Sequence, residues 1–167
     1  MTIRPPFAAP AAALALAAAL WAAGPPPAAA EAGYPYDGVR VIETQKSYAD
    51  LVAAFNQAVA AQERVFVVTR ASATVGVRNR FGEEIPGNMV AGVYGPEFAK
   101  RMLEASIPAG IEAPIRFYLT EDPETGLATL TYRTPSAVFA PYDGAGLAEM
   151  AAELDAIFAE IATAATR

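Results

Sequence analysis

Residues 88–135, NMVAGVYGPEFAKRMLEASIPAGIEAPIRFYLTEDPETGLATLTYRTP, decide how this chain folds. Asn88–Tyr94 reads as a strand, with Met89, Ala91 and Val93 alternating against Val90, Gly92 and Tyr94. Gly92 inside it invites close approach of another backbone or a ligand. Gly95-Pro96 ends the strand, and Pro96 suits the first position of a helix whose apolar face is Phe98, Met102 and Leu103. Pro108-Ala109-Gly110 closes that helix. Ile115–Glu121 alternates again, with Ile115, Phe117 and Leu119 on one side and Arg116, Tyr118 and Thr120 on the other. Asp122-Pro-Glu-Thr-Gly126 has the chemistry of a hairpin turn with Gly where φ must be positive. Leu127–Thr134 returns with Ala128, Leu130 and Tyr132 on one face, and Pro135 stops it.

The flanking segments supply cover for this unit. Val39–Thr44 is a short strand, and Ser47 with Asp50 three residues on opens a helix that buries Leu51, Val52, Phe55, Ala58 and Val59. Arg64–Arg70 is a second strand whose continuous Val65–Val68 run predicts cover on both faces. Residues 71–87 lack a clean period, with a short helix or turn around Ser72–Asn79. Residues 136–143 read as irregular. Gly144–Thr166 is the last helix, with Leu147, Met150, Leu154, Ile157, Phe158 and Ile161 as its apolar stripe. The order predicts an α+β fold: a mainly antiparallel sheet with helices packed on one face, a two-layer sandwich over residues 39–166. The other sheet face, carrying Arg116, Tyr118, Thr129, Thr131 and Arg133, is left for solvent, a second copy or a ligand.

The chain's first 30 residues read as an export signal. Arg4 supplies the positive start, Ala11–Ala23 is an apolar run of 13 residues, and Gly24-Pro25-Pro26-Pro27 breaks it. Ala28-Ala29-Ala30 and Ala30-Glu31-Ala32 offer cleavage near Ala30 or Ala32. The run is too short for about 30 Å of hydrocarbon, so no stable membrane insertion is expected after cleavage. The competing readings are an uncleaved anchor or an Ala/Pro tail. The expected compartment is the periplasm or the exterior. Residues 31–38, EAGYPYDG, form an entry arm whose Tyr34 and Tyr36 pack on the domain edge or on a ligand.

The composition excludes several chemistries. The chain of 167 residues has no Cys and no His, which removes disulfides, thiolate nucleophiles, Cys/His zinc sites and imidazole-based triads. Twelve Lys and Arg, less Arg4, leave 11 basic against 18 acidic residues beyond residue 30, a balance of −7. Such an acidic domain is a poor partner for nucleic acid.

The assembled pieces resemble the bacterial domain-of-unknown-function family 302 over about residues 43–163. The likeness rests on Val93-Tyr94-Gly95-Pro96, the pair Met102-Leu103, the loop Gly110-Ile111-Glu112-Ala113-Pro114-Ile115, the acidic hairpin at Glu121-Asp122, and Tyr132 before Pro135. The resemblance implies a compact α+β fold and a homodimer, and it carries no settled biochemical role. Many members carry a polar residue between the Gly and Pro of the first turn; here none intervenes. Many also carry a His after the second strand, where this chain has Val68-Thr69-Arg70-Ala71. Any relative that holds metal or haem through that His does so in a way closed to this chain.

Three functional readings follow. The first is a non-catalytic module that holds a small-molecule ligand or partner at the open sheet face or near the Gly95-Pro96 turn. Its residues are Tyr94, Arg116 and Tyr118, with Arg78 and Arg80 as a carboxylate or anion clamp. The alternative for Arg78 and Arg80 is a solvated loop paired with Glu83 and Glu84. The second reading is an enzyme using Glu83-Glu84 or Glu121-Asp122. The third is haem or metal held by Met89, Met102, Met150 or a Tyr. No particular cofactor is implied.

Overall fold

The computed structural model describes residues 33–167. The expected export signal and both expected cleavage sites lie outside the described residues. Five strands form one antiparallel sheet: β1 (Val39–Ser47), β2 (Phe66–Ala71), β3 (Asn88–Tyr94), β4 (Ile115–Glu121) and β5 (Leu127–Arg133), in the spatial order β1-β5-β4-β3-β2. The helices are α1 (Tyr48–Ala60), α2 (Ala73–Phe81), α3 (Pro96–Ala105), α4 (Pro135–Phe139) and α5 (Leu147–Thr166), with a 3-10 turn at Ile107–Glu112. This is the expected α+β sandwich.

One sheet face is the floor of the core. Met89, Ala91, Val93, Ile115, Phe117, Leu119, Ala128, Leu130 and Tyr132 alternate inward and are buried. Helix α1 lays Leu51, Phe55, Ala58 and Val59 on them, and α5 adds Met150, Leu154, Ile157, Phe158 and Ile161. Phe117 is the centre: Phe158 stacks on it at 4.8 Å, with Tyr132 at 5.0 Å and Phe55 at 5.2 Å. Burying each such large apolar side chain stabilises by about 1.5–3 kcal/mol.

Local signals account for several boundaries. The Ser47 hydroxyl accepts from the Asp50 amide at 3.2 Å and donates to the Asp50 carboxylate at 2.7 Å, which closes the start of α1. In the β4–β5 turn, Asp122 Oδ1 accepts from the amides of Glu124 and Thr125 at 2.8 Å each, and Gly126 takes φ +71°. Those amides hold the Asp122 carboxyl below its usual range.

Other boundaries differ from expectation. Strand β2 is not covered on both faces. It is an edge strand with Phe66 48% and Val68 42% exposed, and the register shifts between Val67 and Thr69, so Val68 faces no partner. A continuous Val run reads the same whether a strand is central or at the edge. Residues 136–143 are not wholly irregular either, because α4 occupies Pro135–Phe139. Its Ser136 amide donates to Asp155 Oδ1 of α5 at 2.9 Å, a cap from 19 residues away that no local pattern reveals. The last helix begins at Leu147 rather than Gly144.

A charged cluster joins α3 to α5 at the domain's edge. Arg64 and Arg101 both donate to Glu153, at 3.0 and 2.7 Å, and Arg64 also donates to Glu97 at 2.6 Å. Arg101 and then Arg64 lower the Glu153 pKa to about 2. A carboxylate depressed in the folded state stabilises above its unfolded value near 4.5, and that contribution is lost as pH falls from there through about 2. Acid unfolding of Glu153→Gln, followed by circular dichroism, should therefore show a shallower loss of stability in this window than the parent. Superimposable acid limbs would mean that solvent screens the cluster completely.

Candidate functional site

The uncovered sheet face holds a groove of about 440 Å³, a volume suited to a small molecule. Strand pairing determines what lines it. Tyr118 stands between Thr131 of β5 and Val90 of β3, and Thr131 pairs outward with Val41 of β1. One step along the strands, Gly92 pairs with Arg116, and Arg133 pairs with Val39. Continuing the β4–β5 register by one residue sets Arg116 opposite Arg133. The groove thus has two guanidinium side chains on adjacent strands beside Tyr118, Asn88 and Val90.

Its walls come from three further segments. Tyr34 and Tyr36 of the entry arm line it, Glu112 enters from the 3-10 turn, and Val138 from α4. Both tyrosines therefore pack on the domain and face the groove at the same time. The Arg133 guanidinium lies 5.0 Å from the centre of the Tyr36 ring, a cation–π contact. Its Nη2 donates to the Ala137 carbonyl at 3.4 Å, while its Nε is buried without a partner among the described residues. The Asn88 amide donates to the Tyr118 hydroxyl, which keeps its own proton to donate. The Tyr142 hydroxyl donates to Glu112 Oε1 at 2.8 Å and ties that carboxylate toward the α4–α5 connection; the same bond raises the Tyr142 pKa. Among the described residues, neither Arg116 nor Arg133 forms an ion pair.

Of the five residues singled out from the sequence, Arg116 and Tyr118 come together in this groove. Tyr94 does not line it. Its ring meets Phe66 edge-on at 6.1 Å. The space above Gly92, between Tyr94 and the groove, is taken by the chain itself: a Cβ there would lie 2.4 Å from Thr69 Oγ1 and 2.7 Å from Pro114 Cγ. The close approach expected at Gly92 is thus made by Thr69 and Pro114. Near the Gly95-Pro96 turn the cavity is only about 30 Å³ and mostly apolar, room for about one water molecule. Arg78 and Arg80 sit on α2 rather than in a loop. Arg78 forms a two-pronged pair with Glu84, Nε–Oε1 and Nη2–Oε2 both 2.8 Å, so its guanidinium is already occupied by a carboxylate. The sequence places Arg133 on the open face and Tyr34 on the domain edge or a ligand, but nothing in it singles out Asn88 or Glu112 for the site. The alternation that placed Arg133 beside Arg116 was the available signal, while the arm and the 3-10 turn reach the groove only through tertiary packing.

Among the remaining chemical candidates Glu83 is exposed, and the others are engaged in structure. Glu121 Oε2 accepts from the Gly87 amide at 2.6 Å, and Glu84 is held by Arg78. Met89, Met102 and Met150 are buried in the core, on the helix side of the sheet. Among the described residues no three acidic side chains gather as a metal site would require, and no helix is long and apolar enough to cross a membrane.

The sequence profile of the family described as Domain of unknown function DUF302 matches residues 40–165. The chain belongs to the DUF302 family. A search of curated proteins gave no match. Among solved structures, the chain resembles the crystal structure of an uncharacterized conserved DUF302 protein from Bacillus stearothermophilus. The TM-score is 0.66 at 15% identity, covering 78% of this chain and 98% of that one, a likeness of fold alone. The fold is thus shared with that DUF302 protein at low identity, and the groove's side chains are read from this chain's own residues.

Proposed function

We propose that this DUF302 domain is exported and holds a small molecule in the sheet-face groove without transforming it. The observation that carries the reading is a ligand-sized, tyrosine-walled groove in which two adjacent arginines have no carboxylate partner among the described residues. Adjacent like charges on a sheet are unfavourable, so a structural role alone is a weak reason to place them there. Of the carboxylates that an enzyme would use, Glu84, Glu121 and Asp122 are bonded to an arginine or to backbone amides elsewhere, and Glu83 is exposed outside the groove.

Thermal melts of the cleaved protein against a broad small-molecule panel test this. A true ligand at about a hundredfold excess over its Kd should raise Tm by roughly 10 °C and be recovered chemically unchanged. A panel that leaves Tm flat, or recovery of a converted product, would sink the reading.

A homodimer is part of the same proposal. Ile107 and Ile111, 76% and 82% exposed beside Leu103 on the α3 side, support it as apolar surface that a second copy would cover. Sedimentation velocity showing only monomer at micromolar concentration would remove the dimer and leave the groove.

A further inference from the structure

The geometry points to a ligand class for this groove: a small amphipathic anion, with one carboxylate or similar oxyanion on a flat apolar body. The inference deepens the reading above and rests on it.

The charged end follows from unused donors. Among the described residues Arg116 is exposed and free of ion pairs, and Arg133 has a buried Nε without a partner and only a long bond from Nη2. An arginine fork matches the two oxygens of a carboxylate or the face of a phosphate. Tyr118 contributes a further hydroxyl donor. Among the described residues Glu112 is the one carboxylate at the groove; it accepts from Tyr142 and lines the rim contributed by the 3-10 turn. Arg116 and Arg133 against Glu112 leave the groove one positive charge in excess, in a chain of net charge −6. An anion would relieve the repulsion between the two guanidinium groups as well as pair with them.

The apolar end follows from the walls. Tyr34, Tyr36 and Tyr118 present ring surface, and Val39, Val90 and Val138 fill between them. A volume of about 440 Å³ is in the lower part of the range for small-molecule sites, which favours one or two fused rings over a polymer or a lipid tail. Tyr36 has two roles: its ring faces the groove, and it holds the Arg133 guanidinium in place.

Calorimetric titration of the cleaved protein with 1-naphthoate, 1-naphthamide and 1-naphthylmethylamine separates the outcomes, since the three share a ring system and differ in charge. The acid should bind at least about tenfold more tightly than the amide, the amine should be weakest, and added salt should weaken only the acid. Arg116→Gln should lose about tenfold for the acid and little for the amide. Its Tm without ligand should be equal or higher, because one of two facing like charges is gone. A merely structural Arg116 would instead lower Tm and spare the acid's advantage. If the amide binds as tightly as the acid, the ligand class is wrong although the groove is a site. If none of the three binds, both the class and the groove reading fall.

Discussion

Replacing Phe117 with Ala is expected to destabilise the domain by about 3–5 kcal/mol. The ring has no solvent exposure and lies among Phe158, Phe55 and Tyr132, with centroid distances between 4.8 and 5.2 Å. Truncation removes the transfer energy of a phenyl group and leaves a cavity walled by three other rings, each fixed by its own helix or strand. The middle of a five-stranded sheet clamped by α1 and α5 has little freedom to collapse into that space. For a domain of this size the loss corresponds to a fall in Tm of roughly 10–20 °C, readable by calorimetry or by urea titration at unchanged m-value. Phe117→Leu, which keeps most of the volume, should lose much less. The functional consequence is direct, because Arg116 and Tyr118 flank Phe117 and point to the opposite face. The core ring sets the height and pitch of β4 under the groove. A loss of less than about 1.5 kcal/mol would mean that α1 and α5 relax onto the sheet, contrary to the packing described.

The second large effect is expected at Gly38, the joint between the entry arm and β1. Its φ of +72° lies in the left-handed region, which costs a residue bearing a Cβ about 1–2 kcal/mol. A Cβ built there would lie 2.2 Å from the Ala137 Cβ and 2.6 Å from Thr134 Oγ1, an overlap that adds about 1–3 kcal/mol of strain or displacement. Gly38→Ala should therefore lose about 2–5 kcal/mol in total. The Gly38 carbonyl accepts from the Thr134 amide at 2.8 Å, so the joint is held on both sides and cannot swing aside cheaply. Relief of the overlap has to move either α4 or the arm, and these carry Val138, Tyr34 and Tyr36 to the groove. The substitution is thus expected to weaken naphthoate binding as well as stability. Measuring both below the variant's melting range separates the two losses. Parent-like melting and binding would show that the arm is not part of the site.

How far the sequence reaches can be seen by comparing particular elements. The β4–β5 hairpin was legible because alternation, an Asp-led turn and Gly126 all act within a few residues. The α5 stripe was legible for the same reason: six apolar residues at helical spacing admit one buried face, and all six are buried. Strand β2 was misread because its Val run states apolarity without stating position in the sheet, and its place at the edge depends on where β3 and β4 pair. Helix α4 was missed because its cap is Asp155 of another helix.

The candidate site divides along the same line. Local alternation alone placed Arg116, Tyr118, Thr131 and Arg133 on one face, since a strand's side-chain period is fixed by backbone geometry. The absence of His and Cys likewise limited the available chemistry before any fold was known. Only the tertiary structure brought Tyr34, Tyr36, Glu112 and Val138 over that face and filled the space at Gly92 with Thr69 and Pro114. Those contacts join segments far apart in the chain. They follow from which surfaces meet when the core closes, and a one-dimensional pattern of residues does not encode that meeting locally.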